Sequence, residues 1–308
     1  MLKLLAPAKI NWFLFVTGVR ADGYHDIASL FQSISVYDSL EFKTTSDASV
    51  FSPLMLESDL NIPAKDNLVS KALNILASHM KLYKLSEEIT GEITIKLTKE
   101  IPAEAGLGGG SSDCAAALMG LNRLLDLGLS IDELAELAAK AGSDVPFFIK
   151  GSVAMVTGRG DIVTPLISDA SVALLLVKPP VSISTPWAYK MVDKRLDRKL
   201  MAENRLLNIP ALATQFIKAL SIRDFKTMGK LMKNDIEDAI SADFPWINEI
   251  KGQLSDTGAR ASLLSGSGST IFGAFDSKHK REQAQELLCK KYPDYWIKTA
   301  DSLTTNPL

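Results

Sequence analysis

Cysteine is almost missing from this chain: two residues, Cys114 and Cys289, stand far apart among 308. That excludes a disulfide framework and a cysteine-based metal site, and it suits a reducing compartment. An excess of charge of either sign is missing too, with 34 Lys and Arg against 36 Asp and Glu. A broad nucleic-acid or membrane surface would need such an excess, whereas a local anion site needs only a few directed donors. No segment reaches the roughly 20 apolar residues of a membrane helix. The apolar N-terminus invites a signal-peptide reading, but Lys9 and Asn11 interrupt it and no small-residue cleavage site follows. The expectation is a soluble, cytoplasmic protein. Internal repeats and low-complexity tracts are also lacking.

What is present is ordinary globular composition, 46% hydrophobic and 23% charged, in a chain longer than one compact domain usually is. Two domains sharing a cleft are expected, 1–164 and 165–308, with the boundary at Thr164-Pro165. Alternation predicts a strand over residues 2–16, with Lys9 and Asn11 on one face. An Asp22-Gly23 turn then lets Ile34–Phe42 pair back. Residues 43–65, with Pro53 and Pro63, read as loop with short strands. After Asp66-Asn67, the apolar residues Leu68, Ala72, Ile75, Leu76 and Met80 recur at helical spacing, and Gly91–Thr98 alternates as a strand. A helical run is expected from about Asp113 to Leu125. Ser130 and Glu133 form a capping-box pattern that opens a helix ending near Ala141-Gly142. Pro146–Ile149 and Val153–Val156 read as short apolar segments, and Val172–Val177 as a buried strand. Helices are expected near 187–201, 204–220, 224–240 and 278–290, and a strand–loop–strand over Ala261–Phe275. The mixture is an α+β class.

Between the strand ending at Thr98 and the next helix lies Pro102-Ala103-Glu104-Ala105-Gly106-Leu107-Gly108-Gly109-Gly110-Ser111-Ser112. Glycines remove the Cβ atoms that keep backbone N–H groups away from an anion, and they permit positive φ. A following helix adds unpaired donors and the positive end of its dipole. Ser111 and Ser112 offer hydroxyls to phosphate or to magnesium-bound water. The run is not a Walker A loop, because no Lys follows at the required spacing. It is not a dinucleotide fingerprint either, since Ser111 stands where the third Gly belongs. By itself the segment reads as an anion site or as an ordinary strand–helix turn. Lys9 and Asn11 read as a strand face meeting solvent, or as a charge that needs a partner. Asp144 reads first as a turn or N-cap carboxylate.

Taken in order, Pro7–Asn11, Ala21–His25, Gly106–Ser112, Gly142–Pro146 and Ser265–Ser269 resemble the GHMP kinase superfamily. Within it they are similar to the kinases of a cytidylated methylerythritol. The resemblance runs to about Phe275 and is weakest across 190–230. It implies a ribosomal-S5-like N-terminal domain, a ferredoxin-like C-terminal domain, and ATP with Mg2+ meeting a cytidine diphosphate-linked methylerythritol in the cleft. By resemblance, Asp144 is the catalytic base, Lys9 the catalytic lysine and Pro102–Ser112 the phosphate loop. Asn67 and Lys99 match positions near the adenine. Asn11, Tyr24, His25, Thr185 and Tyr189 match the substrate pocket, where an aromatic face can stack on cytosine. No acidic residue is assigned to the magnesium, and Cys114 departs from the small residue usual there. Two alternatives keep the glycine loop: a superfamily kinase of homoserine or a mevalonate-like alcohol, and a non-catalytic nucleotide sensor. The second would have no use for both Lys9 and Asp144.

Overall fold

A computed structural model describes residues 1–45, 55–58, 67–82, 92–195 and 208–308 of the chain. The first strands are long. β1 (Leu2–Val19) and β2 (His25–Thr45) run antiparallel through the turn at Asp22-Gly23. β2 therefore starts earlier than the expected Ile34. Its second edge is long enough for two partners. β4 (Glu92–Thr98) pairs with Ser39–Thr45, and β5 (Val153–Gly158) pairs with Ile27–Gln32. β3 (Met55–Ser58) adds parallel to β4 and β6 (Ile162–Pro165) antiparallel to β5. The rest of residues 43–65, like residue 91, Asp66 and the parts 196–201 and 204–207 of the expected helices at 187–201 and 204–220, lies outside the described residues.

A register shift between Asn11 and Phe13 decides which side chains face where. Before it Ala8, Ile10 and Trp12 enter one core cluster; after it Phe13 and Phe15 enter the same cluster. One extra residue in a strand flips the parity of everything beyond it. Lys9 and Asn11, ahead of the shift, lie by ordinary alternation on the opposite face from Ile10 and Trp12.

Helices cover the sheet: α1 (Leu68–Leu82), α2 (Gly109–Leu124), α3 (Ile131–Ala141) and α4 (Val145–Lys150). The capping box of Ser130 and Glu133 is present at the start of α3. α2 begins four residues earlier than the expected Asp113. Its first bond, Ser112 N–H to the Gly108 carbonyl (2.9 Å), already winds the glycines into the helix. Close packing here depends on Gly120, where a Cβ would lie 2.2 Å from the Phe42 ring. Cys114 is buried in this helix, and burial pushes its thiol up to about 12. It acts as a small apolar residue.

The second sheet is antiparallel, β11-β7-β10-β9: β7 (Ala173–Lys178), β9 (Ala261–Leu264), β10 (Ile271–Phe275) and β11 (Trp296–Asp301). Around it lie α5 (Thr185–Arg195), α6 (Ile209–Ser221), α7 (Phe225–Leu231), α8 (Asp235–Ile240), α9 (Trp246–Asp256) and α10 (Lys278–Lys291). The helix expected over 224–240 is broken. Lys233-Asn234 forms β8, parallel to β1 at Phe13-Leu14, and Asn234 then caps α8. The two sheets share a core: Trp12 meets Phe216 at 5.1 Å and Phe272 at 5.5 Å between ring centroids. Among the described residues no helix is long and apolar enough to cross a membrane.

Candidate active site

Lys9 is 3% exposed and Asn11 fully buried, so the strand face does not meet solvent. The ammonium is satisfied by directed partners. Lys9 Nζ donates to Asn11 Oδ1 (2.7 Å) and lies 3.8 Å from Asp144 Oδ2 and 4.7 Å from the centre of the Phe31 ring. Asn11 Nδ2 in turn donates to Ser29 Oγ (2.9 Å), which fixes the amide's orientation. Burial holds the Lys9 ammonium below its ordinary 10.5, and the negative charge of Asp144 opposes that shift.

Asp144 occupies the N-cap position of α4 but does not cap it. Its backbone is right-handed helical (φ −79°, ψ −11°) and its side chain makes no cap hydrogen bond. The carboxylate, about one-third exposed, is turned toward Lys9 and the cavity.

The glycine loop arrives from the other side. Lys9 N–H donates to the Leu107 carbonyl (2.9 Å), pinning loop to strand. Gly106 and Gly108 have positive φ, 73° and 70°. A Cβ on Gly106 would lie 2.0 Å from the Ser265 carbonyl oxygen, so a second loop, Ser265–Ser269, packs backbone to backbone upon the first. Asn234 seats that second loop: its Nδ2 donates to the carbonyls of Leu264 (2.9 Å) and Gly266 (2.8 Å). Because Gly108 is the N-cap of α2, no side chain covers the first N–H groups of the helix. The Ser112 hydroxyl is buried without a hydrogen-bond partner. Such donors and an orphaned hydroxyl fit a phosphate chain.

Behind the loop sits a buried ion cluster. Lys99 Nζ donates to Asp113 Oδ2 (2.6 Å) and to Asp38, which also accepts from the N–H groups of Glu100 (2.6 Å) and Ile101 (2.9 Å). Burial, helped by the charge of Asp38 and opposed by Lys99, pushes the Asp113 carboxyl up to about 8. The resemblance put Lys99 and Asn67 near the adenine. The structure places Lys99 in this cluster beside Gly109, and gives Asn67 a capping role, its Oδ1 accepting from Val69 N–H (2.9 Å). Neither lines the cavity, although Leu68 would touch a Cβ on Gly110.

A cavity of about 900 Å³, within the range of small-molecule sites, opens between these loops. Lys9, Asn11, Glu104, Gly106, Gly108 and Asp144 line one group of its walls, and Tyr24, His25, Thr185 and Tyr189 another. Thr185 Oγ1 and Ser267 Oγ are 2.8 Å apart. His25 and Tyr189 stack, with centroids 4.7 Å apart and planes 26° from parallel, and His25 Nε2 lies 2.9 Å from Asp193 Oδ1. Tyr24 is 58% exposed and stands at the mouth. Asp193, Asn234, Phe31 and Arg159 also belong to this constellation and were not read from the sequence. Asn234 carried a local signal, an Asn before Asp-Ile-Glu at a helix start; the others act across the fold.

The N-terminal and C-terminal domain models of the GHMP kinases match residues 67–152 and 216–294. A 4-diphosphocytidyl-2-C-methyl-D-erythritol kinase from Thermodesulfovibrio yellowstonii is 42% identical over 303 residues, 98% of each chain. This chain belongs to that family of GHMP kinases. Its membership makes it an ATP-dependent phosphotransferase of α+β fold. A 4-diphosphocytidyl-2-C-methyl-D-erythritol kinase from Citrifermentans bemidjiense is 37% identical over 94% of this chain and 95% of its own. The crystal structure of a 4-(cytidine 5'-diphospho)-2C-methyl-D-erythritol kinase superposes with a TM-score of 0.76 at 29% identity, covering 97% of this chain and 99% of that one. Homoserine kinase from Cytophaga hutchinsonii, 20% identical with a TM-score of 0.73 over 99% and 95% of the two chains, shares the fold.

Proposed function

We propose that the protein transfers the γ-phosphoryl group of ATP to the 2-hydroxyl of 4-diphosphocytidyl-2-C-methyl-D-erythritol, in the non-mevalonate route to isoprenoid precursors. The observation that carries this is one cavity holding both the pair of buried Lys9 with Asp144 and the His25–Tyr189 aromatic stack. Phosphoryl transfer asks a protein for positioning and charge neutralisation more than for covalent help. Backbone N–H groups of the loop around Gly106–Ser112 bind the phosphates. Asp144 accepts the hydroxyl proton as the oxygen attacks phosphorus and ADP leaves. Lys9, with Asn11 fixing its direction, stabilises the negative charge in transit. Tyr24, His25 and Tyr189 receive the cytosine, with Thr185 beside them.

Magnesium belongs to the same proposal. Among the described residues no group of three or more His, Cys, Asp or Glu is placed to hold a metal. The ion would be held chiefly by phosphate and water, the usual mode for Mg2+, with the orphaned Ser112 hydroxyl and Glu104 as protein groups. It supplies neutralisation of phosphate charge. Asn67 and Lys99 support the nucleotide from behind the loop, and a division into domains 1–164 and 165–308 and a cytoplasmic location complete the reading.

The test is a coupled ADP-release assay with diphosphocytidyl-methylerythritol, with homoserine and mevalonate as competing acceptors, with and without magnesium. Release should depend on the cytidylated alcohol and on the metal. Folded protein that releases no ADP in response to it, or that turns over the simple alcohols equally, defeats the proposal.

A further inference from the structure

The turn between β5 and β6 takes no part in the mechanism above, yet it borders both groups of cavity walls. Gly158 and Gly160 both have positive φ, 67° and 110°. A Cβ on Gly160 would come within 3.2 Å of Asp144 Oδ1 and 3.3 Å of Ser143, so the bare backbone of the turn lies against the proposed base. Between the two glycines, Arg159 lines the cavity and lays its guanidinium over the Tyr24 ring, 5.4 Å from the centroid. One residue thus flanks the aromatic group while its neighbour flanks the reacting group.

We propose that Arg159 is a specificity-determining residue, recognising the diphosphate that joins the cytidine to the alcohol; the assignment rests on the function proposed above. A substrate with its base at Tyr24, His25 and Tyr189 and its hydroxyl at Asp144 must carry its phosphates between them. The turn holding Arg159 touches Tyr24 on one side and Asp144 on the other. Those phosphates need donors. Lys9 is committed to Asn11 and Asp144. Arg159 is suited: its planar fork offers five N–H donors and matches phosphate oxygens in pairs. Its side-chain contact with a carboxylate among the described residues is a long one, 3.5 Å to Asp161, with Asp22 as a further negative neighbour. These carboxylates orient the guanidinium and leave most of its donors for an anion. Stacking on Tyr24 does the same for its plane. Lys190, which also lines the cavity, supplies a second cation.

The test compares cytidine, CMP and CDP by calorimetric titration of the intact enzyme, as wild type, Arg159→Met and Arg159→Lys. Wild type should bind CDP more tightly than cytidine. Arg159→Met should weaken CDP roughly 10- to 100-fold, the worth of hydrogen bonds to a charged group, and leave cytidine little changed. Arg159→Lys should recover part of the loss, because a point charge lacks the fork. In turnover, KM for the cytidylated alcohol should rise by the same factor, with KM for ATP and kcat little changed. An unchanged CDP-to-cytidine ratio in Arg159→Met overturns the assignment. So does a parallel loss of cytidine binding, which would make Arg159 only a prop for Tyr24. If wild type neither binds CDP nor releases ADP with the cytidylated alcohol, the function proposed above fails with it, an outcome separate from an active wild type whose variant keeps its preference.

Discussion

An ammonium taken out of water without partners would be strongly destabilising, and Lys9 is spared that by Asn11, Asp144 and the face of Phe31. Its position has two consequences of opposite sign. Folded Lys9 holds its proton less tightly than the unfolded chain does, the ordinary value being 10.5. Between the two pKa values the unfolded state binds more protons, so this group's contribution to stability rises with pH. Activity, which needs the charge, falls over the same window. A pH profile of kcat/KM should therefore show an alkaline limb centred below 10.5, and Lys9→Met, much slower throughout, should lack it. Asp144→Asn should lose about 10²–10⁴-fold in kcat with ATP affinity intact, since the side chain caps no helix. Near-normal turnover of that variant would remove Asp144 as the base. At this scale the sequence was informative: period two placed Lys9 and Asn11 together. It said nothing of Asp193, 168 residues from its partner His25, because such pairings exist only in the folded chain.

The phosphate loop and α2 act as a unit, held at Gly106 by the second loop and at Asp113 by the ion cluster. Gly106→Ala asks for a left-handed conformation and for a methyl 2.0 Å from the Ser265 oxygen. The loops must part, and the variant should lose about 1–3 kcal/mol of stability and a larger share of its ATP-dependent activity. Urea unfolding and ADP release measure the two. Asp113 tests the other anchor. Its folded pKa of about 8 lies far above the ordinary 3.8, so the native state binds the extra proton and stability falls as pH rises from 3.8 to 8. Asp113→Asn should match wild type at acidic pH and outlast it above pH 8, read as urea midpoints across that range; parallel curves would show that Asp113 titrates normally. Local signals found these elements more readily than their limits. The glycines hid the first turn of α2, because their low helix propensity says nothing of a Gly108 N-cap. The break at Lys233-Asn234 is set by pairing with β1, over two hundred residues away in sequence. For α9 the helical spacing of Ile247, Ile250 and Leu254 was legible and passed unread, as was the alternation of β11.

Across the whole molecule the two sheets are joined by apolar contacts rather than by the site alone. Trp12, fully buried between Phe216 and Phe272, also donates from Nε1 to Gln32 Oε1 (2.5 Å). Trp12→Ala should cost about 3–5 kcal/mol, seen as a lowered urea midpoint of both tryptophan fluorescence and helical circular dichroism. If only one signal shifts, the sheets unfold independently. The fold class was accessible from element order, whereas this shared core was not, since nothing local in Trp12 names its partners. Asn234 extends the same connection into chemistry. A chain still emerging from the ribosome, complete through Asp144 but not yet through Lys233, already possesses the proposed base, the lysine and the glycine loop. It lacks the strand added by Lys233-Asn234 and the amide that seats the second loop. The loop that packs upon Gly106 is thus seated by a residue that reaches the fold only after the phosphate loop itself has been made.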